Sequence, residues 1–263
     1  MTLVKATGVP DYEVCFTKEK TSDFALVIPV INEGERIAKL LQSIKDKAIE
    51  KTCDVIICDG GSTDGSLEEE KLKHFGVATL LLKKGVGKLS SQLRCAYHFA
   101  LELGYKGILT IDGNNKDDPT PIPSFIEKLK EGYDFVQASR FITGGEAVNT
   151  PASRTAAIRL LHAPLLSFAS GFHWTDTTQG FRAYSARLLA DSRVAIFRDV
   201  FKNYELLAYL SYRAPKLGFR CIEMPSRRVY PKGAVPTKIS FLRGNAEVFN
   251  VLVKACLGKY DPK

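Results

Sequence analysis

The stretch FALVIPVINEGERIAKLLQSIKDKA (24–48) carries two periodicities in succession. FALVIPV (24–30) is a continuous apolar run, the composition of a strand buried on both faces. From Glu35 onward the apolar positions are Ile37, Leu40, Leu41, Ile44 and Ala48, the spacing of one helix face. The polar residues Asn32 and Glu33 fall in the link between the two.

The same unit repeats along the chain. DVIIC (54–58) reads as a second strand, followed by the polar turn DGGSTDGS and a helix around Leu67 to Phe75. VATLLL (77–82) is a strand and Lys88 to Leu103 a helix. GILTI (107–111) is a fourth strand, a short helix runs to about Lys130, and DFVQAS (134–139) is a fifth strand. Strands alternating with helices over short links predict an α/β fold with a mostly parallel central sheet flanked by helices. In such sheets ligands bind at the carboxyl ends of the strands. The polar motifs fall there: Asn32-Glu33, Asp59 to Ser66, and Asp112 to Asp118.

The second half is less regular. Ala152 to Ser170 reads as helical with Pro164 as a kink, TQGFRAYS (178–185) as a short strand and turn. Residues 202–213 and 239–257 read as helices, with strand-like FRCIEM (219–224) and RRVY (227–230) between them. The first 22 residues are weakly patterned and read as an N-terminal extension, leaving 23–263 as one domain.

With 263 residues, 45% hydrophobic and 25% charged, the chain is long enough for a sizeable core and ordinary for a soluble globular protein. No run approaches the ~20 apolar residues of a membrane-spanning helix. The N-terminus lacks the apolar centre of a signal peptide, so the expected location is the cytoplasm. The net charge of +8 suits nucleic acid, an anionic membrane surface, phosphorylated small molecules, or simply a solvated basic surface. The basic residues are spread along the chain, which argues against a nucleic-acid arm. Six cysteines without a C-x-x-C pair or a zinc-like histidine spacing read as reduced, partly buried thiols, with Cys53 and Cys58 on opposite faces of the sheet.

Three loops carry candidate chemistry. Asp59 to Gly65 packs two acids and three glycines after a strand, which suits a ribose or base edge, or a turn capped by Asp64 or Ser66. Lys83-Lys84-Gly85-Val86-Gly87-Lys88 places cations before a helix, which suits phosphate, or an exposed basic loop. Asp112-Gly113-Asn114 offers a carboxylate and a neutral carbonyl oxygen to a divalent ion that also binds a ligand diphosphate. Asp117 and Asp118 are further carboxylates within reach of that role, or caps of the next helix.

In this order the segments resemble family 2 glycosyltransferases. VIPVINEGERI is similar to their P-x-x-N-E signature, DVIICDGGSTDGS to their D-x-x-S-x-D segment, and TIDGNNKDDP stands in the place of their D-x-D metal motif. ASRF (138–141), DTTQGFRAYS (176–185) and PKGAVPTKIS (231–240) resemble segments of the dolichol- and polyprenyl-phosphate mannosyltransferase branch. The resemblance implies a GT-A type nucleotide-sugar-binding fold, with a nucleotide-sugar-binding half at 23–145 and an acceptor-binding half at 146–263. It implies that Pro29, Asn32, Glu33, Asp59, Lys88, Asp112, Gly113 and Asn114 border the nucleotide sugar. Asp112 and Asn114 would hold Mg²⁺ or Mn²⁺, and Asp112, Arg140, Arg154 and Lys238 would serve catalysis near the donor diphosphate or the acceptor phosphate. Two positions depart from the pattern: Asn114 replaces the second aspartate, and Lys116 falls where the branch has a glutamine. Lys116 is therefore expected to supply part of the metal's charge or to pair with Asp117 or Asp118.

The expected reaction is inverting transfer from a nucleoside-diphosphate sugar to a polyprenyl phosphate, in cell-envelope glycan or glycolipid synthesis. A sugar hydroxyl acceptor would need a base such as Asp176 or Glu205. A non-catalytic nucleotide-sugar-binding homologue is the other reading. The 152–170 helix (Leu160, Leu161, Leu165 and Phe168 with Arg154 and Arg159) and the C-terminal helix (Phe241, Val248, Phe249, Val251, Leu252 and Leu257 with Lys254) each suit peripheral contact with an anionic inner leaflet, or packing on the core or a sister subunit of a homo-oligomer.

Overall fold

The computed structural model describes residues 2–231 and 243–262. Strands β1 (Thr2–Ala6), β2 (Val9–Thr17), β3 (Phe24–Val30), β4 (Asp54–Asp59), β5 (Val77–Lys83), β6 (Gly107–Thr110), β7 (Phe135–Ser139), β9 (Arg182–Ser185) and β10 (Cys221–Pro225) form one sheet, in the order β1-β2-β5-β4-β3-β6-β9-β7-β10. β5, β4, β3 and β6 are mutually parallel. β9 runs antiparallel between β6 and β7, and β10 is parallel to β7. β8 (Glu146–Val148) and β11 (Arg227–Val229) form a separate two-stranded parallel ribbon.

Helices cover both faces. α1 (Glu35–Asp46), α2 (Glu69–His74) and α4 (Ile122–Lys130) pack on one side. α3 (Leu89–Glu102), α6 (Ala163–Ser170), α7 (Ala186–Ala190), α8 (Glu205–Lys216) and α9 (Arg243–Cys256) pack on the other. β3 explains the double layer: Ala25 and Val27 face the second set of helices, Leu26, Ile28 and Val30 the first. The apolar stripe of α1 buries Ile37, Leu40, Leu41 and Ile44, each contributing about 1.5–3 kcal/mol of apolar transfer. Ala48, read as the end of that stripe, instead takes a left-handed conformation (φ 53°) after the helix has stopped. All six cysteines are free thiols, and Cys53 and Cys58 belong to the two opposite core layers.

The first residues are more ordered than their pattern suggests. β1 and β2 form an antiparallel hairpin that extends the sheet through β5. Gly8 turns the hairpin at φ 72°, with Phe197 O 1.9 Å from where a Cβ would stand, so only glycine fits there. Pro10 and Asp11 interrupt the alternation, and only Val9 and Tyr12 of β2 are buried.

The 152–170 segment is helical but not uniform. α5 (Ala152–Ala157) passes through a π-helical turn at Ile158–His162 into α6, where Pro164 stands near the start. The segment thus combines a π turn with a proline in the first turn of α6, where a missing N–H costs no helical bond. Ala163 and Leu166 enter the core, whereas Leu160, Leu161 and Phe168 are exposed. In α9, by contrast, Val251, Leu252 and Ala255 pack into the core. The 239–242 part of the expected C-terminal helix, Phe241 included, lies outside the described residues.

Candidate active site

The strand order has a switch point. From β3 the chain moves outward through β4 to β5, then returns to place β6 on the opposite side of β3. The loops after β3 and β6 therefore diverge and leave a crevice at their carboxyl ends, where open α/β sheets bind ligands. The loop after β3 carries Asn32 and Glu33, just past Pro29 of that strand, and the loop after the neighbouring β6 carries Asp112, Gly113 and Asn114.

The β3 and β4 loops are tied together. Asn32 N donates to Ser62 Oγ at 3.0 Å, Thr63 N donates to Asn32 Oδ1 at 2.8 Å, and Gly34 N donates to Asp64 Oδ2 at 2.8 Å. Asn32 adopts φ 47°, an unusual conformation for a residue with a side chain, and these bonds hold it there. Asp59 Oδ1 accepts from the amides of Gly61 and Ser62 and from Ser62 Oγ, so it closes its own turn. Glu33 pairs with Arg36 at 2.8 Å. Beneath the crevice, Gln92 Nε2 donates to the carbonyls of Val30 and Cys58, 2.8 Å each, joining the ends of β3 and β4.

Asp112 sits just past β6, where the Ile111 amide still bonds to Val27 O. Gly113 is closely packed, since a Cβ would lie 3.1 Å from Pro29 O and 3.0 Å from Val30 Cγ2. A Cβ at Gly180 would displace the Asp112 carboxylate, whose Oδ1 lies 2.1 Å from where it would be. β9 and the segment ahead of it thus deliver Gly180 directly against the carboxylate.

The other Asp112 oxygen, Oδ2, accepts from Arg228 Nη2 at 3.2 Å, and Arg228 Nη1 donates to Asp117. One buried guanidinium therefore bridges two carboxylates. The loop is fixed around it by backbone bonds to β11: Val229 N to Lys116 O at 2.8 Å, and Asp118 N to Arg227 O at 3.0 Å. Burial disfavours the Arg228 charge, but Asp117 and Asp112 outweigh it and hold its pKa above the ordinary value. Burial pushes the Asp117 carboxyl up, with Arg228 opposing.

Tyr230, two residues on, organises further cations. Arg154 Nη1 donates to its hydroxyl at 2.9 Å, and Lys116 Nζ stands 5.0 Å from its ring centroid. Burial raises the Tyr230 pKa, but Arg228 and Arg154 lower it further, to a net value below the ordinary one. Burial and the neighbouring Arg228 lower the Lys116 pKa. The structure so joins Asp112 and Arg154 through two residues, Arg228 and Tyr230. Lys116 does not make the expected ion pair with Asp117 or Asp118. Arg228 takes Asp117, and Asp118 Oδ1 accepts from the Thr120 amide, closing a turn ahead of α4.

Arg140 is placed differently. It is 3% exposed and makes a fork to Asp176, 2.7 and 3.0 Å, with a further bond to Thr178 Oγ1 at 3.0 Å. Gln179 Nε2 also donates to Asp176 at 2.7 Å, and Ser226 Oγ donates to Gln179 Oε1 at 3.2 Å. Burial raises the Asp176 pKa, but Arg140 and Gln179 bring the net value below the ordinary one. Lys88 is exposed at the start of α3, one turn before Gln92. The first α3 amides are already occupied: Lys88 N donates to Lys202 O and Ser90 N to Asn203 O. Those amide donors are thus used within the fold, which leaves the exposed Lys88 side chain for the phosphate role read from the sequence. Lys238 lies outside the described residues.

Among the described residues no group of three His, Cys, Asp or Glu side chains forms a closed metal site, so an ion at the DGN loop would rest on Asp112, Asn114 and ligand oxygens. Asn114 Oδ1 accepts from the Lys116 amide at 3.2 Å, Asp112 Oδ2 is engaged by Arg228, and Asp112 Oδ1 is pressed against Gly180. Asp112 and Asn114 are thus engaged within the chain, and a divalent ion held here would take its remaining oxygens from a bound diphosphate.

The comparisons with known proteins follow the same lines. The family model described as Glycosyl transferase family 2 matches residues 25–201, more than half of the chain. The chain is 29% identical over 203 residues to an undecaprenyl-phosphate mannosyltransferase of Micrococcus luteus, covering 76% of this chain and 80% of that protein. It is 27% identical to a dolichyl-phosphate hexose transferase of Haloferax volcanii, covering 92% and 97%. Among solved structures it resembles glucosyl-3-phosphoglycerate synthase of Mycobacterium tuberculosis, in complex with Mn²⁺, UDP-glucose and phosphoglyceric acid, with TM-score 0.61, 18% identity and coverage of 93% and 81%. The fold is of the GT-A type, as its sequence motifs imply.

Proposed function

The chain belongs to glycosyl transferase family 2, and from that premise we propose that this glycosyltransferase moves a sugar, with inversion, from a nucleoside-diphosphate sugar to a polyprenyl phosphate. The observation that carries the reading is the Asp112 carboxylate at the sheet's switch point, backed by Arg228, Lys116 and Arg154 around Tyr230. The donor nucleotide lies over Pro29, Asn32, Glu33 and Asp59, and its diphosphate faces the cations. As the bond from the anomeric carbon to the diphosphate oxygen breaks, the electron pair leaves with the nucleoside diphosphate. Preorganised cations stabilise that developing charge.

An acceptor phosphate oxygen attacks the opposite face of the anomeric carbon and forms the new C–O bond. A polyprenyl phosphate is already ionised at neutral pH and needs no base. A hydroxyl acceptor does, and both candidate bases are engaged. Asp176 is fully buried and held by Arg140, and Glu205 Oε2 accepts from the amides of Lys202 and Asn203. This favours the phosphate.

The 152–170 helix supplies a place for the lipid. A recess of about 330 Å³ is lined by Phe141, Arg159, Ala163, Pro164 and Trp174 among others, and a second of about 580 Å³ by Ala152, Thr155, Ala156, Arg159 and Leu160. Leu160 and Phe168 project outward, 79% and 92% exposed. Arg159 borders both recesses and suits a lipid phosphate, while the apolar side chains suit an anionic inner leaflet. Among the described residues no helix is long and apolar enough to cross a membrane.

The test is transfer of radiolabelled sugar from UDP- and GDP-sugars to undecaprenyl phosphate, dolichyl phosphate and an oligosaccharide in parallel. Labelled polyprenyl phosphate is the expected product. Labelled oligosaccharide alone would overturn the acceptor.

A further inference from the structure

We propose, on the donor-site reading above, that Gln179 is a positioning residue for the Asp112 carboxylate. Its buried amide ties together the two chain segments that meet the two oxygens of that group.

The oxygens are met from different parts of the chain. Gly180, in the segment ahead of β9, stands so close to Oδ1 that a Cβ there would lie 2.1 Å from it. Arg228, in β11, donates to Oδ2 through Nη2 at 3.2 Å. The orientation of Asp112 therefore depends on how these two segments sit against each other.

Gln179 sets that relation. It directly precedes Gly180. Its Nε2 donates to Asp176 Oδ2 at 2.7 Å and to Ala138 O at 3.3 Å, and its Oε1 accepts from Ser226 Oγ at 3.2 Å. Ser226 links β10 to β11, two residues before Arg228. The Ser226 amide donates to Ser139 O at 3.0 Å, and its carbonyl accepts from Glu146 N at 2.9 Å, so β11 starts from a fixed point. The main chain of Gln179 is held as well, its carbonyl accepting from Arg182 Nε at 2.9 Å. At the far end of the tie, Asp176 is itself locked by the Arg140 fork.

The chemistry of the tie calls for a carboxamide. Gln179 is 0% exposed and Ser226 2%. Both N–H donors of the amide and its oxygen are engaged, so it cannot turn without leaving a buried polar group unpaired. A glutamate would set a second carboxylate against Asp176, and a methionine would fill the space without the bonds. When the tie is cut, Gly180 and β11 are free to shift relative to Asp112. A displacement of about 1 Å at a reacting centre costs on the order of 10²-fold in rate, so a smaller shift is already measurable.

The test is a double-mutant cycle in the full-length protein against Asp112→Asn. It is read in kcat/KM for transfer from UDP-glucose and GDP-mannose to undecaprenyl phosphate and, in parallel, in the donor dissociation constant by isothermal titration. Gln179→Met should lower kcat/KM by about tenfold in the wild-type background. In the Asp112→Asn background it should lower it by less than about twofold, because the group it positions is already lost. Gly180→Ala, which moves the carboxylate and spares the amide, should show the same non-additivity. Ser226→Ala cuts only the β11 side of the tie and should cost about threefold, again only where Asp112 is present. It carries the cycle should Gln179→Met fail to fold. An equal loss in both backgrounds makes Gln179 a purely structural residue and overturns the inference, as does unchanged kcat/KM in Gln179→Met; either leaves the donor site standing. Wild-type activity in Asp112→Asn, or no binding of either donor, overturns the donor site and the inference together.

Discussion

Arg140 and Arg228 are both buried arginines in ion pairs with aspartate, yet they occupy different electrostatic situations. Arg140 meets one carboxylate, Asp176, which is also held by Gln179, and neither side chain of the pair reaches solvent. Arg228 meets two carboxylates, one sealed beneath it and one at the mouth of the crevice. The first is a closed pair that locks β7 to the segment ahead of β9. In the second, the Asp112 side chain stays 22% exposed. A buried ion pair is therefore not by itself a sign of chemistry; its stoichiometry and open face decide.

The largest expected effect tests the closed pair. Arg140→Met leaves the Asp176 charge buried without its partner and should cost about 3–5 kcal/mol of stability, read as a lowered denaturation midpoint. A fall in kcat/KM with unchanged stability would instead put Arg140 on the substrate and break the comparison.

His162 adjoins the same region through Thr177, 2.6 Å from its Nδ1. Burial and the nearby Arg182 hold its imidazole down at about 4. Below pH ~6.5 the unfolded chain takes up this proton, while the folded chain does so only near pH 4. Its contribution is thus complete above pH ~6.5 and decreases as pH falls toward 4, by about 3 kcal/mol. Urea unfolding at several pH values should show that slope in the wild type and a shallower one in His162→Gln.

Asp112→Asn probes the open cluster. It should lower kcat/KM on the order of 10²-fold, about 2.7 kcal/mol, with little change in melting temperature. If it destabilises the chain as strongly as Arg140→Met, the two clusters are alike and the distinction falls.

The smallest effect concerns the lipid-facing helix. Phe168→Ser removes a side chain that is 92% exposed and so should not alter stability. It should weaken sedimentation with phosphatidylglycerol vesicles by roughly tenfold, as loss of about 1.5 kcal/mol of apolar burial implies. Unchanged vesicle binding would remove this face from the acceptor reading.

The sequence by itself determined the α/β alternation, because buried parallel strands such as FALVIPV and DVIIC are continuous apolar runs and α1 carries a full helical stripe. It also placed Asn32, Asp59 and Asp112 at strand ends, since a loop beginning after a buried strand must be polar. It did not reveal β1 and β2, whose sparse burial and interrupting Pro10 and Asp11 erase the period of two. Nor could it reveal β8, three residues held by pairing with β11. Above all it pointed to Lys116 as the extra cation of the DGN loop, whereas the structure turns that lysine toward the Tyr230 ring and brings Arg228 from 111 residues beyond Asp117. Local periodicity records which face of an element is buried. Which distant charge reaches a given carboxylate is set by strand order and by the pairing of β11 with β8, and only the tertiary structure decided that.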